Sequence, residues 1–418
     1  MDMADNNSQM SRRRLLKTTG GALTATGIVG MTQAKAGAGG DFVEVNVGFD
    51  GARGRARAEK AAKSVNRRFN FDAMTIEVPE KAVKGLQKNP NIRYVEPNGR
   101  MFAIPHQPST YKPPGKCSPW PDCKDSDGGG GGDTSQTLPW GIDRVDAEVA
   151  HANGNTGAGA DIAILDTGID SDHPDLQANL GSGTAFAKCK GKSCNYDWDD
   201  DNEHGTHCAG IAGADDNSQG VVGVSTEATL HAVKVLDSRG SGSFSDIAAG
   251  VEYVADQGWD VASMSLGGSS GSSALRDAVQ YADSKGVLLI AAAGNSGPCT
   301  DCVGYPAAYP EVVAVGSTNS SDDLSSFSST GSEVEIAAPG SDIFSTVPGG
   351  SYDTFSGTSM ACPTVSGAAG QLMADGASAS QARDTLTSSA EDIGLASNES
   401  GAGLLDVAAA LNLDSSNN

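Results

Sequence analysis

Apolar and polar positions along these 418 residues change rhythm twice. From residue 41 to residue 104 the apolar side chains come in short alternating runs. Phe42-Val43-Glu44-Val45-Asn46-Val47 and Met74-Thr75-Ile76-Glu77-Val78 have the period of half-buried strands, and Ile92-Arg93-Tyr94-Val95 predicts a third. Helical spacing predicts helices over 58–65 and 80–88. This is the pattern of a small α+β unit, and about 65 residues is marginal for an independent fold. Residues 105–134 lose the pattern. Pro105, Pro108, Pro113, Pro114, Pro119 and Pro121 precede a glycine run from Gly128 to Gly132, the composition of a linker.

Beyond Leu138 near-continuous apolar runs take over. Strands are predicted over 161–166, 230–236, 261–266, 287–293, 312–317 and 334–337, with helices over 205–214, 245–257, 274–285, 358–374 and 380–388. Strands apolar on both faces belong to a parallel sheet covered by helices. The alternation of strand and helix predicts an α/β fold over residues 135–412, a doubly wound and mostly parallel sheet preceded by the small α+β unit. Functional side chains are then expected where strands end. Little chain follows 404–411, so no further C-terminal domain is expected. No run of 18 apolar residues occurs, so no membrane-spanning helix is expected. Nothing in the pattern specifies an oligomer, and a monomer is expected.

The formal net charge of −23 hides a division. Residues 1–104 carry 17 Lys and Arg against 10 Asp and Glu, and the rest of the chain carries 12 against 42. The acidic part is repelled by nucleic acid and by anionic membrane surfaces, which excludes both as its partners. Such asymmetry within one chain predicts segments with different fates.

The first 36 residues read as an export signal. Ser11-Arg12-Arg13-Arg14-Leu15-Leu16-Lys17 precedes a mildly apolar run from Gly21 to Met31, and small residues follow at Ala34-Lys35-Ala36. This resembles a twin-arginine signal and implies a secreted, extracellular protein that folds before export. In an exported chain eight cysteines invite disulfides. Cys117/Cys123, Cys189/Cys194 and Cys299/Cys302 are close in sequence and suit local bridges. Cys208 and Cys362 lie in apolar helical stretches and are expected to be free and buried; a mutual bridge is the alternative.

Three polar residues stand at predicted junctions. Asp166 ends a strand before Thr167-Gly168. His204 opens a helix in Glu203-His204-Gly205-Thr206-His207-Cys208, and Ser359 opens another in Ser356-Gly357-Thr358-Ser359-Met360-Ala361. A serine hydroxyl needs a base to take its proton, and an imidazole base needs a carboxylate to fix its tautomer. A helix N-terminus also supplies N–H groups for a developing oxyanion. Singly, each residue reads as a cap, a turn former or a surface histidine.

Together, Asp166-Thr167-Gly168, His204-Gly205-Thr206-His207, Ala293-Gly294-Asn295 and Gly357-Thr358-Ser359-Met360-Ala361, in that order, resemble the subtilisin-like serine proteases over residues 135–412. The resemblance implies a serine endopeptidase acting on protein and peptide substrates through an acyl-enzyme. Asp166 would orient, His204 would be the base, Ser359 the nucleophile and Asn295 the oxyanion donor. It also implies that Ser265-Leu266-Gly267 and the segment around Ser241 hold the substrate main chain as an added strand. Gly304 would floor a pocket for large apolar side chains, giving broad specificity.

The same resemblance implies a structural Ca2+ held by Gln136, Asp175, Asp215, Asn217, Gln219 and Val221. A hard cation suits such a set of oxygens. A second acidic run, Asp197 and Asp199 to Asp201, reads equally well as a solvated loop. Residues 41–104, with Tyr94-Val95-Glu96-Pro97, resemble the family's inhibitory propeptide, whose tail would lie near 102–104. Pro105 is a poor residue just after a cleavage point. The acidic excess resembles the halolysins and implies adaptation to salt. An aspartic protease would need a second Asp-Thr/Ser-Gly, and none occurs. A zinc hydrolase on His204, His207 and Cys208 lacks the usual ligand spacing. A secreted pseudoprotease binding module would be favoured by a missing triad member, and none is missing.

Overall fold

Gly51 to Lys60 is rich in Ala and Arg, and it forms a helix that starts about two turns ahead of the predicted one. The computed structural model describes residues 42–108 and 136–414. The expected export signal, the Cys117/Cys123 pair and most of the expected linker lie outside the described residues. The N-terminal part consists of β1 (Phe42–Phe49), α1 (Gly51–Ala61), β2 (Ser64–Phe69), β3 (Ala73–Pro79), α2 (Glu80–Gln87) and β4 (Ile92–Pro97). Its antiparallel sheet has the order β2-β3-β1-β4. The helix expected over 58–65 is corrected: it ends at Ala61, and Val65 pairs with Ile76 in a fourth strand. Gly54 made the earlier start unreadable. A Cβ there would lie 2.2 Å from the Asn91 carbonyl, so the glycine serves close packing of the helix rather than a turn. Val45, Val47, Phe49, Met74, Ile76, Val78 and Leu86 give this part its own core.

After β5 (Arg100–Ala103) and β6 (Gln107–Pro108) comes the larger fold. It contains α3 (Trp140–Asp143), α4 (Ala147–Ala152), β7 (Asp161–Asp166), β8 (Thr184–Ala185), α5 (His204–Gly213), β9 (Thr229–Lys234), β10 (Ser241–Ser243) and α6 (Phe244–Gln257). There follow β11 (Val261–Met264), β12 (Leu266–Gly267), α7 (Ser273–Ser284), β13 (Leu288–Ala292), β14 (Val312–Thr318), β15 (Val334–Pro339), β16 (Ile343–Val347), β17 (Ser351–Ser356), α8 (Thr358–Ala374) and α9 (Ala379–Ser388). Seven strands form a parallel sheet in the order β15-β14-β13-β11-β7-β9-β8. Its two faces are separate cores because successive side chains of a strand point opposite ways. Ile162, Ile164, Val261, Leu288, Ile290, Val313 and Val315 pack with residues of α5 and α8. Ala163, Leu165, Ala262, Met264, Leu289, Ala291 and Ala314 pack with residues of α6 and α7.

The chain turns from β7 toward β8 and β9 on one side, then crosses to β11 on the other, so the sheet reverses direction between β7 and β11. The crevice at the strand ends beside such a reversal is where α/β sheets bind ligands. The β16–β17 hairpin, absent from the sequence reading, stands beside α5 and α8. From Phe42 onward the described chain belongs to one compact unit. Among the described residues no helix is long and apolar enough to cross a membrane.

Candidate active site

Asp166, at the end of β7, and His204, at the start of α5, are both buried. His204 Nδ1 lies 2.9 and 3.0 Å from the two Asp166 oxygens. The approach depends on two glycines. A Cβ on Gly205 would fall 2.2 Å from the Gly168 carbonyl, and Gly168 itself has φ +112°. Thr167 Oγ1 accepts from the Gly205 N–H at 2.9 Å, and Asp166 Oδ1 accepts from the Thr167 N–H at 2.7 Å. Lys234, fully buried, donates to the Thr167 carbonyl and to Asp201 at 2.7 Å, pinning the same turn from below. Burial opposes a charged imidazole at His204. The Asp166 carboxylate, with Cys208 behind it, outweighs that and raises the pKa well above the ordinary histidine value.

Ser359 lies in the first turn of α8, wholly buried. Its Oγ donates to the Ile104 carbonyl at 3.2 Å and to the Ser265 carbonyl at 3.4 Å. His204 Nε2 is buried and has no hydrogen-bond partner among the described residues. Asn295, just past β13, is held by its side-chain oxygen, which accepts from the Thr358 N–H and the Thr358 hydroxyl, each at 2.9 Å. Its Nδ2 then points across the cleft and donates to the Pro105 carbonyl at 2.9 Å. Gly357 permits this approach, since a Cβ there would lie 2.9 Å from Asn295 Nδ2.

β5 fills a slot between β10 and β12. Ser241, Gly242 and Ser243 face Phe102, Met101 and Arg100, and Leu266 and Gly267 face Ala103 and Phe102, all antiparallel. The Ala103 N–H donates to Gly240 O at 2.8 Å and the Ile104 N–H to Ser265 O at 3.3 Å. The Ser241 hydroxyl accepts from Arg100 at 2.7 Å. Met101 and Ile104 are buried while Phe102, between them, is half exposed. Gly304 donates to the Ala293 carbonyl behind this slot, and a Cβ there would crowd the Gly268 carbonyl at 3.3 Å. The loop leading to Gly304 is closed by the Cys299–Cys302 disulfide and bonded to Thr330 from both cysteines.

The N-terminal part also grips α6 and α7. The Glu96 carboxylate accepts from the Ser273 and Ala274 N–H groups at 2.8 and 2.9 Å and from the Ser272 hydroxyl at 2.7 Å. Asn98 Oδ1 accepts from the Ser245 N–H at 3.0 Å. Arg67 pairs with Asp246 and Arg93 with Asp277, each at 2.9 Å. Both carboxylates stand on the acidic side of the division in charge.

The oxygen cluster lies further off. Gln136 donates to the carbonyls of Asp215 at 2.6 Å and Val221 at 2.9 Å. Asp175, fully buried and with its pKa raised by that burial, accepts from the Val221 N–H at 2.8 Å and from Asn217 at 3.4 Å. Gln219 joins through its N–H, which donates to Asn217 Oδ1 at 3.0 Å. A Cβ on Gly220 (φ +57°) would lie 2.0 Å from Asp175 Oδ2, so only glycine lets the loop backbone pack this closely on that carboxylate. The second acidic run has protein partners: Asp200 accepts from Thr206, Asp201 from Lys234, Asp199 from Asn195 and Tyr196, and Asp197 from Lys188.

The family model described as "Subtilase family" matches residues 157–403. Subtilisin amylosacchariticus of Bacillus subtilis subsp. amylosacchariticus is 41% identical over 358 residues, covering 84% of either chain. Subtilisin of Bacillus pumilus is 45% identical over 280 residues, 66% of this chain and 99% of that one. Subtilisin Savinase of Lederbergia lenta is 45% identical over 278 residues, with the same two shares. The chain belongs to the subtilase family. It is a serine endopeptidase of the subtilisin type.

The structure places Asp166, His204, Asn295, Ser359, Ser241, Ser265, Leu266, Gly267 and Gly304 along the cleft, and Gln136, Asp175, Asp215, Asn217, Gln219 and Val221 in the oxygen cluster. Cys208 was read as an inert apolar residue, yet its Sγ is 4.0 Å from His204 Nδ1 and donates to the Ser359 carbonyl at 3.4 Å. The signal was available: Cys208 is four residues after His204, which puts both on one face of a helix. Cys208 and Cys362 are free and buried, which excludes their mutual bridge, and Cys189–Cys194 is formed. His207 faces inward onto Phe355, bonds the Asp353 carbonyl, and is pushed down to about 3 by burial, so it serves packing rather than a metal.

Proposed function

We propose that Asp166, His204 and Ser359 are the catalytic triad and Asn295 the oxyanion donor of a secreted endopeptidase made as an inhibited precursor. The observation that carries this reading is the seating of β5. An extended peptide is held on both edges, and the Ile104 carbonyl is brought to the Ser359 hydroxyl. In hydrolysis Ser359 Oγ attacks the substrate carbonyl as His204 Nε2 takes its proton. Asp166 stabilises the imidazolium, and His204 gives the proton to the departing amine. Water then repeats the sequence on the acyl-enzyme. Asn295 Nδ2 and the Ser359 N–H meet the oxyanion. An active-site serine reagent should abolish caseinolysis, and Ser359→Ala should be inert; caseinolysis by that variant would remove the assignment.

Ser241, Ser265, Leu266 and Gly267 bind substrate main chain, and the glycine at 304 leaves room for a large apolar residue before the scissile bond. The burial of Ile104 and Met101 supports this. Peptides varied only at that position test it: Leu, Phe and Tyr should be favoured, and a strong preference for Lys or Arg contradicts it.

The domains follow the same reading. Residues 1–36 direct twin-arginine export and 41–104 form the inhibitory propeptide. Residues 105–134 link it to the catalytic domain, 135–412. The 358-residue match to Subtilisin amylosacchariticus supports this arrangement, since it is too long for residues 136–414 alone. Gln136, Asp175, Asp215, Asn217, Gln219 and Val221 suit Ca2+: all offer oxygen, one is a buried carboxylate, and Gly220 lets the loop close onto that carboxylate. The ion would tie the N-terminal stretch at Gln136 to the loop after α5. The acidic surface is an adaptation to molar salt, and the enzyme acts as a monomer.

A further inference from the structure

The tail of the N-terminal part does not stop at Ser359. β6 pairs antiparallel with β17, Gln107 opposite Ser356 and Pro108 opposite Phe355. The His106 ring stacks on Phe355 at 3.8 Å, and Phe355 stacks in turn on His207 at 4.3 Å. The chain from Arg100 to Pro108 is therefore gripped on both sides of the nucleophile, and the bond presented there is Ile104–Pro105. We propose that this segment is an inhibitory strap that Pro105 locks against hydrolysis, so that maturation does not begin by cutting Ile104–Pro105. The inference rests on the reading of Ser359 as nucleophile.

Three observations carry it. Cleavage forms the bond from Ser359 Oγ to the Ile104 carbonyl carbon and passes the serine proton to His204 Nε2. The C–N bond then breaks as that proton moves to the leaving nitrogen. The proline nitrogen carries ring Cδ where another residue carries hydrogen. The nitrogen must bring that ring along as it turns its lone pair toward His204, while the His106 stack and the β17 pairing hold the next residues still. Second, the Asn295 amide is on the Pro105 carbonyl, one residue beyond the carbonyl that would become the oxyanion. Third, the Ser359 hydroxyl is turned to the Ile104 and Ser265 carbonyls, and His204 Nε2 is left without a partner among the described residues. The main chain is addressed as a substrate is, and the proton path is not joined.

The test compares the full-length chain with its Pro105→Ala variant, reading fragment termini by mass spectrometry over time. The variant should release a fragment ending at Ile104 over the time course, and the wild-type chain should release none. A wild-type product beginning at Pro105, or equal rates, overturns the proposal. If the variant fails to fold, synthetic peptides of residues 98–108 are offered to the activated wild-type enzyme. The native peptide should inhibit and be recovered intact, and its Pro105→Ala counterpart should be cut after Ile104; cleavage of both at similar rates also overturns it. Hydrolysis of an unrelated peptide separates the two readings. Its loss in Ser359→Ala upholds the nucleophile whatever the strap does, and its persistence there sinks both.

Discussion

A serine hydroxyl is activated only by an uncharged imidazole, so the acid limb of activity reports the base. At His204 the neighbouring carboxylate raises the pKa above the usual value of about 6.5. Removing the strap lessens burial, which adds to the rise. The value of kcat/KM should therefore climb with pH through a midpoint above that of a free histidine. A midpoint at or below about 6.5 contradicts the assignment. Asp166→Asn removes the cause, so it should lower the midpoint and cut turnover by roughly 10^4, the loss seen for this change in a trypsin-type triad. Asn295→Ala should cost about 100- to 1,000-fold in kcat with KM little changed; that magnitude is the one known for subtilisin's own oxyanion asparagine. The residues proposed for the chemistry were legible because each carries a short motif that local geometry demands: glycines at 168, 205 and 357 exist where a Cβ would collide. The contact of Cys208 with His204 was legible only from their spacing of four on one helix, since a cysteine's own chemistry gives no motif.

In the larger fold the long strands of the parallel sheet and the long helices were read to within a residue or two, because burial on both faces leaves an unbroken apolar run; α1 and β2 of the N-terminal part, which are half exposed, were not. The hairpin of β16 and β17 was missed. Ile343-Phe344-Ser345-Thr346-Val347 packs two of its polar side chains onto α5, where Ser345 and Thr346 bond the His207 and Thr206 carbonyls at 2.9 and 2.8 Å. Inward polar groups break the alternation that a strand is recognised by. β10 and β12 are too short for any periodicity, and their partner is supplied by another part of the chain. The loop after α5 is the element proposed to hold a cation. A cation held at 100 times its dissociation constant stabilises by about 2.7 kcal/mol. A chelator should therefore lower the melting temperature, and Asn217→Ala should abolish that response. An unchanged melting temperature in chelator counts against the site.

On the scale of the molecule, the opposed charges meet at a defined surface. Arg67 and Arg93 reach Asp246 and Asp277 with side chains about a quarter to a third exposed, so salt screens them in part. Inhibition by the separate N-terminal part should weaken as NaCl rises. Arg67→Ala and Arg93→Ala should each raise the inhibition constant roughly two- to fivefold at low salt. The same substitutions should flatten the salt dependence, and salt-independent inhibition removes the electrostatic contribution. The mature enzyme, without its basic partner, should in turn lose stability in dilute buffer and regain it at molar salt, where the screening length is about 3 Å. Full stability in fresh water refutes the adaptation.

The slot between β10 and β12 binds its occupant mainly through backbone groups, which every polypeptide carries. Once β5 has gone, the partner in greatest supply in a pure preparation is a loosened stretch of another copy. Loss of enzyme on storage should then be bimolecular. Doubling the concentration should shorten the half-life by about half, and dilution should lengthen it. A half-life indifferent to concentration would mean that each molecule decays alone, by unfolding.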